Sequence, residues 1–133
     1  MTDDKKTILL VDDDVDFLAQ QQVMLEAAGY RVVTAGGARE AEKFLADQKP
    51  DLAVVDLMME HVDGGFSLCY QIKKLDPAIG VILVTAVVSE TGIEFDAATP
   101  EERTWVKADA MLAKPFRREQ LLREIEMLLA RKG

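Results

Sequence analysis

The stretch DLAVVD, residues 51–56, decides the fold of this chain. It follows Pro50, consists of apolar residues between two acids, and ends on the carboxylate of Asp56. A strand without polar alternation is typical of the centre of a parallel sheet that is covered on both faces. Ligand sites in such sheets lie outside the carboxyl ends of the strands. The stretch therefore predicts that Asp56 stands at the end of a buried strand and points into a cleft.

A second apolar strand carries a matching signal. Residues 7–11, TILLV, run directly into Asp12, Asp13 and Asp14. If this strand and the one before Asp56 are central and parallel, their ends are neighbours, so Asp12, Asp13 and Asp56 converge. Clustered carboxylates repel one another unless a cation compensates their charge. Mg2+ is a hard ion with oxygen ligands, and it is the cation that such a cluster favours.

The rest of the chain alternates between strand and helix patterns. Further strands are predicted at residues 30–35, 81–84 and 110–113, and a helix is predicted after every strand. The fourth helix is short and runs from Pro100 to about Ala108, with Thr99 as its cap. Five strands alternating with five helices predict a three-layer α/β/α sandwich with right-handed crossovers.

Apolar residues at helical spacing predict which helix faces are buried. Asp14 can cap the first helix, and Gly29 stops it. The predicted inner faces are Phe17, Leu18, Met24, Leu25 and Ala28 in the first helix, Ala41, Phe44 and Leu45 in the second, Phe66, Cys69 and Ile72 in the third, and Leu121, Ile125 and Leu128 in the last, flanked by Leu122 and Leu129.

Four of the strands deliver polar side chains to the same edge of the sheet. The first gives Asp12 and Asp13, the third Asp56, the fourth Thr85 and the fifth Lys114. Taken alone, Thr85 is best explained as an ordinary strand-end threonine and Lys114 as a solvated loop lysine. The acids could also be only an N-terminal helix cluster that the dipole favours. The simultaneous presence of all five favours a functional site.

The composition bounds what the chain can do. With 133 residues it is predicted to be one domain, residues 1–133, with no output domain. A net charge of -8 argues against binding nucleic acid or an anionic membrane by bulk attraction. The single cysteine, Cys69, excludes an internal disulfide and fits a reducing compartment. Because neither a signal peptide nor a long apolar segment is present, a cytoplasmic location is expected.

At this point the chain resembles the receiver domain of bacterial two-component response regulators, of the chemotaxis-regulator type. The motifs that carry the resemblance are ILLVDDD at residues 8–14, DLAVVDLMM at 51–59 with Asp63-Gly64, VTA at 84–86, and LAKPF at 112–116. Each motif alone is weak, but all of them in order, each at a strand end, are highly specific. The resemblance covers nearly the whole chain and implies a flavodoxin-like fold with strand order 2-1-3-4-5.

The resemblance also implies a site. Asp56 would accept a phosphoryl group and pair with Lys114, which would then contact the phosphoryl oxygens. Mg2+ would be bound directly by Asp13 and Asp56, through water by Asp12, and by the backbone carbonyl of Met58. Thr85 would turn its hydroxyl toward the phosphoryl group. The donor would be a sensor histidine kinase or a histidine phosphotransfer protein, and output would pass to a protein partner or a second copy through the surface of residues 86–131.

The chain departs from the family pattern in its fifth strand and in the segment before it. Met111 occupies a position that is usually Tyr or Phe, and the segment between Thr85 and Lys114 is longer than usual. Three other functions compete: a pseudo-receiver that is never phosphorylated, an aspartyl-nucleophile phosphatase, and a flavin carrier. The intact acids and Lys114 disfavour the first. Met58, where a phosphatase needs an acid, disfavours the second. The acids after the first strand would repel a flavin phosphate, which disfavours the third.

Overall fold

The computed structural model describes residues 5–56, 64–85, 109–114 and 116–132. Met58 and the helix predicted from Pro100 lie outside the described residues. The five described strands are β1 (Thr7–Val11), β2 (Arg31–Ala35), β3 (Leu52–Asp56), β4 (Gly80–Thr85) and β5 (Ala110–Ala113). The four described helices are α1 (Val15–Ala27), α2 (Ala38–Asp47), α3 (Gly64–Leu75) and α4 (Arg118–Lys132).

The strands form one parallel sheet in the order β2-β1-β3-β4-β5, which confirms the order that the family resemblance implied. The register sets the level at which each strand ends. Val11 lies opposite Val55, so the next residues, Asp12 and Asp56, emerge side by side. Asp56 in turn lies opposite Val84, one residue before the end of β4. The sheet therefore delivers its polar residues to one edge, at the ends of three adjacent strands.

Alternate residues of the central strands point to opposite faces and build two separate cores. One core contains Leu9, Val55 and Leu83 and packs against α2 and α3. The other contains Leu10, Val54 and Ile82, and residues of α1 and α4 belong to it. Because β3 and β4 are buried on both faces, they read as continuous apolar runs. The three-layer sandwich is confirmed.

Helix α1 begins and ends as predicted, but its inner face is shorter. The Asp14 carboxylate accepts a hydrogen bond of 3.1 Å from the backbone N–H of Phe17 and so caps the helix. Gly29 has a φ of 100°, a left-handed conformation that glycine adopts at helix ends without strain. Leu18 and Leu25 are buried. The prediction for Ala28 was wrong: it is exposed, because it is the C-cap and the helix has already ended there.

The other inner faces follow the predicted pattern. Ala41, Cys69, Ile72, Leu121, Ile125 and Leu128 are buried, and Phe44, Leu45, Leu122 and Leu129 pack against the cores as partly buried residues. Leu68 is also fully buried, which the sequence interpretation missed. The side chain of Phe66 lies outside what the structure describes. Within the described part of the chain, none of the helices combines the length and apolar character needed to cross a bilayer.

Candidate functional site: an acidic cluster at the carboxyl edge

Three carboxylates meet at the carboxyl edge of the sheet, as the sequence predicted. Asp12, Asp13 and Asp56 each offer a carboxylate oxygen, and these oxygens lie within 4.8 Å of one another. Asp12 is 1% exposed and Asp56 6% exposed, whereas Asp13 faces solvent. Burying charged groups costs free energy unless they are paired or coordinate a cation. The cluster therefore needs positive charge from the protein or from a bound ion.

Asp12 is held in place from three sides. Its backbone N–H donates to the carbonyl of Ala35 at 3.1 Å, which fixes the chain where β1 ends. One carboxylate oxygen, Oδ1, accepts from the backbone N–H of Asp14 at 2.8 Å. The other, Oδ2, accepts from the ammonium group of Lys114 at 2.9 Å. This charge-assisted bond, from a partly exposed lysine to a buried acid, offsets part of the cost of burying Asp12.

Lys114 reaches this site from the end of β5, the edge strand beside β4. Its backbone N–H donates to the carbonyl of Thr85 at 2.8 Å, which fixes its Cα beside the end of β4. Its ammonium nitrogen lies 4.1 Å from the centre of the Phe17 ring, within the range of a cation–π interaction. The ion pair that the structure describes for Lys114 is with Asp12. A pairing of Lys114 with Asp56 stays a prediction.

Thr85 and Met111 occupy the two remaining positions of interest. Thr85 is the last residue of β4, lies opposite Ala113, and is 6% exposed. It therefore stands at the same edge as the acids. Met111 is partly buried and packs against the core between the sheet and α2 and α3. Its flexible thioether side chain acts here as a packing residue.

The residues present fit a hard divalent cation. All three donors of the cluster are carboxylate oxygens, which is the ligand type that Mg2+ prefers. Among the described residues, Lys114 is the cation that contacts this cluster, through Asp12, so a dication would bring the charges of these residues closer to balance. The carbonyl of Met58, the fourth predicted ligand, lies outside the described residues.

Two residues contribute to the site in ways that the sequence interpretation missed. Phe17 was predicted as a core residue, but its ring lies beneath the ammonium group of Lys114 and meets the Phe116 ring edge to face, with 6.0 Å between centroids. Asp14 was predicted as a helix cap, and its backbone N–H also holds Asp12. The sequence did contain a signal for this arrangement: an aromatic residue, Phe17, in the first turn of the helix that follows three consecutive acids.

A second lysine–aspartate cluster lies at the opposite, amino edge of the sheet. The ammonium group of Lys73 contacts the carboxylate of Asp109 at 2.6 Å and donates to the carbonyls of Ile79 at 2.7 Å and Pro77 at 3.2 Å. The same Asp109 oxygen accepts from the backbone N–H of Val81 at 2.8 Å. This cluster joins the end of α3 to the beginnings of β4 and β5. We call it the amino-edge clasp.

The thiol of Cys69 lies on α3, one helical turn before Lys73, and is fully buried. Burial raises its pKa from 9.0 to about 12, while Lys73 lowers the pKa and Asp109 raises it. The two charges of the clasp act in opposite directions, so burial decides the outcome. A thiolate is the nucleophilic form of cysteine, and this residue is therefore protonated and inert at neutral pH.

Comparison with known proteins identifies the family. The family model described as "Response regulator receiver domain" matches residues 8–126. The chain is 40% identical over 124 residues to the heme response regulator HssR of Staphylococcus haemolyticus, covering 92% of this chain and 51% of that protein. It is 32% identical over 126 residues to the alkaline phosphatase synthesis transcriptional regulatory protein PhoP of Bacillus subtilis, covering 95% and 49%. The chain thus spans about half the length of these curated relatives.

Solved structures agree with the family match. A CheY-like response regulator receiver domain protein from Methanospirillum hungatei superimposes with a TM-score of 0.80 at 29% identity, covering 96% of both chains. The response regulator TrrA from Thermotoga maritima, in complex with Mg2+ and BeF, gives a TM-score of 0.75 at 25% identity, covering 92% of this chain and 98% of that one. With matching motifs, strand order and acidic cluster, the chain belongs to the response regulator receiver domains, which are phosphorylated on an aspartate with Mg2+ in two-component signalling.

Proposed function

We propose that Asp56 is the phosphoacceptor of this receiver domain. The observation that carries the proposal is its position: Asp56 ends the central strand β3, is 6% exposed, and has two other carboxylates within 4.8 Å. Asp12 is tied to Lys114, and Asp13 is exposed and positioned to hold a cation. Asp56 ends the strand between those that carry Asp12 and Thr85, and this central position makes it the acid best placed to act as a nucleophile.

The proposed reaction is a phosphoryl transfer from a phosphohistidine. An oxygen of the Asp56 carboxylate attacks phosphorus, the P–N bond to the imidazole breaks, and an acyl phosphate forms while the imidazole leaves and takes up a proton. Asp12, Asp13, Asp56 and the backbone carbonyl of Met58 would hold Mg2+. When bound, this ion offsets the negative charge on the transferring phosphoryl group.

Lys114 and Thr85 supply the remaining polar contacts. An ammonium group has three N–H donors, and the bond to Asp12 uses one of them. Once Asp56 is modified, the ammonium group turns from Asp12 to the phosphoryl oxygens. The hydroxyl of Thr85, buried at the end of β4, turns toward the same oxygens and pulls the following residues with it. The domain thus signals by a change of conformation and catalyses only its own phosphorylation and dephosphorylation.

The partners follow from this chemistry. The donor is a sensor histidine kinase or a histidine phosphotransfer protein, which places the reaction in the cytoplasm. Output passes to a downstream protein or to a second copy of the chain through the surface of residues 86–131, which includes β5 and all but the last residue of α4. A net charge of -8 favours a protein over nucleic acid or an anionic membrane as the direct target of this domain.

The test is phosphorylation by acetyl phosphate with Mg2+, read by intact-mass spectrometry. The wild-type chain should gain one phosphoryl group, and chelation of Mg2+ should prevent the gain. Asp56→Asn should gain none, because the nucleophilic oxygen is lost. Asp47→Asn, an exposed acid at the end of α2, is the matched control and should behave like wild type. An adduct of equal yield on Asp56→Asn would show that another residue is the phosphoacceptor.

A further inference from the structure

The ammonium group of Lys114 rests on the more distant of the two buried acids. Lys114 follows β5, and the sheet order places β3, with Asp56, between β5 and β1, with Asp12. The side chain nevertheless contacts Asp12 at 2.9 Å. A phosphoryl group on Asp56 would lie on the nearer strand, so Lys114 contacts an acid that is not the proposed phosphoacceptor.

Phe17 is the second contact that holds the ammonium group there. The ring centre lies 4.1 Å from the Lys114 nitrogen, and the lysine side chain is 25% exposed, so solvent screens the attraction only in part. The Phe17 backbone is fixed by its hydrogen bond to Asp14, and its ring by the perpendicular ring of Phe116. Two contacts other than Lys114 therefore position this ring.

Asp12, Asp14, Phe17 and Lys114 form a closed set of contacts. Asp14 donates its backbone N–H to Asp12 and caps the turn that carries Phe17, and Asp12 and Phe17 together hold Lys114. The acid and the ring both belong to the β1–α1 segment. Lys114 would have to leave both contacts to turn toward a phosphoryl group on Asp56.

From this geometry we infer that Phe17 is a positioning residue that holds Lys114 on Asp12 in the unphosphorylated state and so opposes activation. This inference rests on the proposed function of Asp56. Asp12 must stay charged to bind the cation, so the ring is the part of this resting contact that can be tuned without loss of the metal site. A weaker ring contact should release Lys114 more readily and favour the phosphorylated form.

The sharpest test changes the charge distribution of the ring and leaves its shape nearly unchanged. Phe17 is replaced with monofluoro-, trifluoro- and pentafluorophenylalanine, which weaken the cation–π attraction step by step. The same series at Phe116 is the matched control, because that ring contacts Phe17 and not the ammonium group in the described contacts. Phe17→Leu, which removes the ring and keeps an apolar side chain, extends the series.

The first readout is the affinity for beryllofluoride, a mimic of the phosphoryl group, measured in the presence of Mg2+. We expect binding to become tighter along the Phe17 series, by about two- to fivefold at the end, as expected for the loss of ~0.5–1 kcal/mol of resting-state attraction. The Phe116 series should change affinity much less. Equal affinity along the Phe17 series, or weaker binding, would overturn the inference.

The second readout is the NMR signal of the Lys114 side chain, which a purely structural role of Phe17 would not move. The ring current should shift the Cε protons of Lys114 in the free protein, and beryllofluoride should remove this shift as the side chain leaves the ring. A shift that persists after binding would contradict a resting-state role. If wild type binds no beryllofluoride at all, the proposed function of Asp56 fails and this inference fails with it. If wild type binds beryllofluoride but the affinity does not change along the Phe17 series, the inference alone is refuted.

Discussion

Lys114 and Lys73 stand at opposite edges of the same sheet, and each is paired with an aspartate. In the amino-edge clasp, Lys73 has three oxygen acceptors for its three N–H donors, and Asp109 also accepts from a backbone N–H. At the carboxyl edge, Lys114 contacts Asp12, one of three clustered acids, and lies over an aromatic ring. The clasp is complete as it stands, whereas the described residues of the carboxyl edge carry an excess of negative charge.

This difference separates a structural ion pair from a functional one. A satisfied, partly buried network stabilises one arrangement of the chain and gains nothing from a ligand. An acid-rich cluster is destabilising until a cation binds, so the binding energy of the ion becomes part of the stability of the folded state. The carboxyl edge can therefore respond to Mg2+ and phosphoryl groups, and the clasp holds β4 and β5 together while it does so.

The largest effect should come from breaking the clasp. Lys73→Met removes two hydrogen bonds and an ion pair, and leaves Asp109, whose side chain is 20% exposed, without its cation. Loss of a partner from a partly buried network should lower the free energy of unfolding by about 2–4 kcal/mol. Urea unfolding measures this, and the loss should be the same with and without Mg2+.

Lys114→Met and Lys49→Met complete this comparison. Lys114→Met should also destabilise the chain without Mg2+, because the Asp12 side chain is 2% exposed, but saturating Mg2+ should restore much of the loss. Lys49 is the control: its pair with Asp76 spans 3.9 Å with side chains 57% and 35% exposed, so its loss should cost less than about 0.5 kcal/mol. Recovery of Lys73→Met by Mg2+ would abolish the distinction between the two edges.

A smaller effect concerns the thiol beside the clasp. The pKa of Cys69 is raised from 9.0 to about 12, mainly by burial. Above pH 9 the unfolded chain loses the thiol proton while the folded chain keeps it, so stability present below pH 9 is lost as the pH rises toward 12. By pH ~10.5 this loss should reach roughly 2 kcal/mol.

Cys69→Ala removes this titration. Its unfolding free energy should fall less steeply than that of wild type between pH ~8 and ~10.5, whatever constant offset the smaller side chain causes. Tyrosines and lysines titrate in both proteins and cancel in the difference. Parallel pH profiles for the two proteins would mean that the clasp, or solvent reaching the thiol, stabilises the thiolate after all.

Much of the fold and of the site could be predicted because local patterns determine them. The apolar runs at residues 7–11 and 52–55 gave the central strands, and the register of those strands then places Asp12 beside Asp56. The cap at Asp14 and the stop at Gly29 depend on backbone rules that act over a few residues. The prediction that Ala28 is buried was wrong because the apolar pattern continues past the residue where the helix ends.

The contacts between distant residues could not be predicted in the same way. Lys114 and Asp12 are 102 residues apart in sequence, and nothing local decides whether a lysine at the end of β5 rests on Asp12 or on Asp56. The Phe17 ring fits a helical core pattern equally well whether it packs inward or lies beneath an ammonium group. The clasp was missed because Lys73 and Asp109 become neighbours only when β4 and β5 align.

The smallest effect concerns the repulsion among the three acids at the carboxyl edge. Asp13 is exposed and lies among acids, so Asp13→Asn should raise the free energy of unfolding by about 0.5–1 kcal/mol without Mg2+, a gain that solvent screening keeps small. With Mg2+ the order should reverse, because wild type gains about 2.7 kcal/mol at a hundredfold excess over the dissociation constant and the variant gains much less. Asp16→Asn is the control: this acid lies in the first turn of α1, where the helix dipole favours it, so its loss should bring no gain in either condition. Urea unfolding of the three proteins at a series of Mg2+ concentrations measures both signs. If Asp13→Asn were no more stable than wild type without Mg2+, the three acids would not repel one another, and the excess negative charge would not distinguish this edge from the clasp.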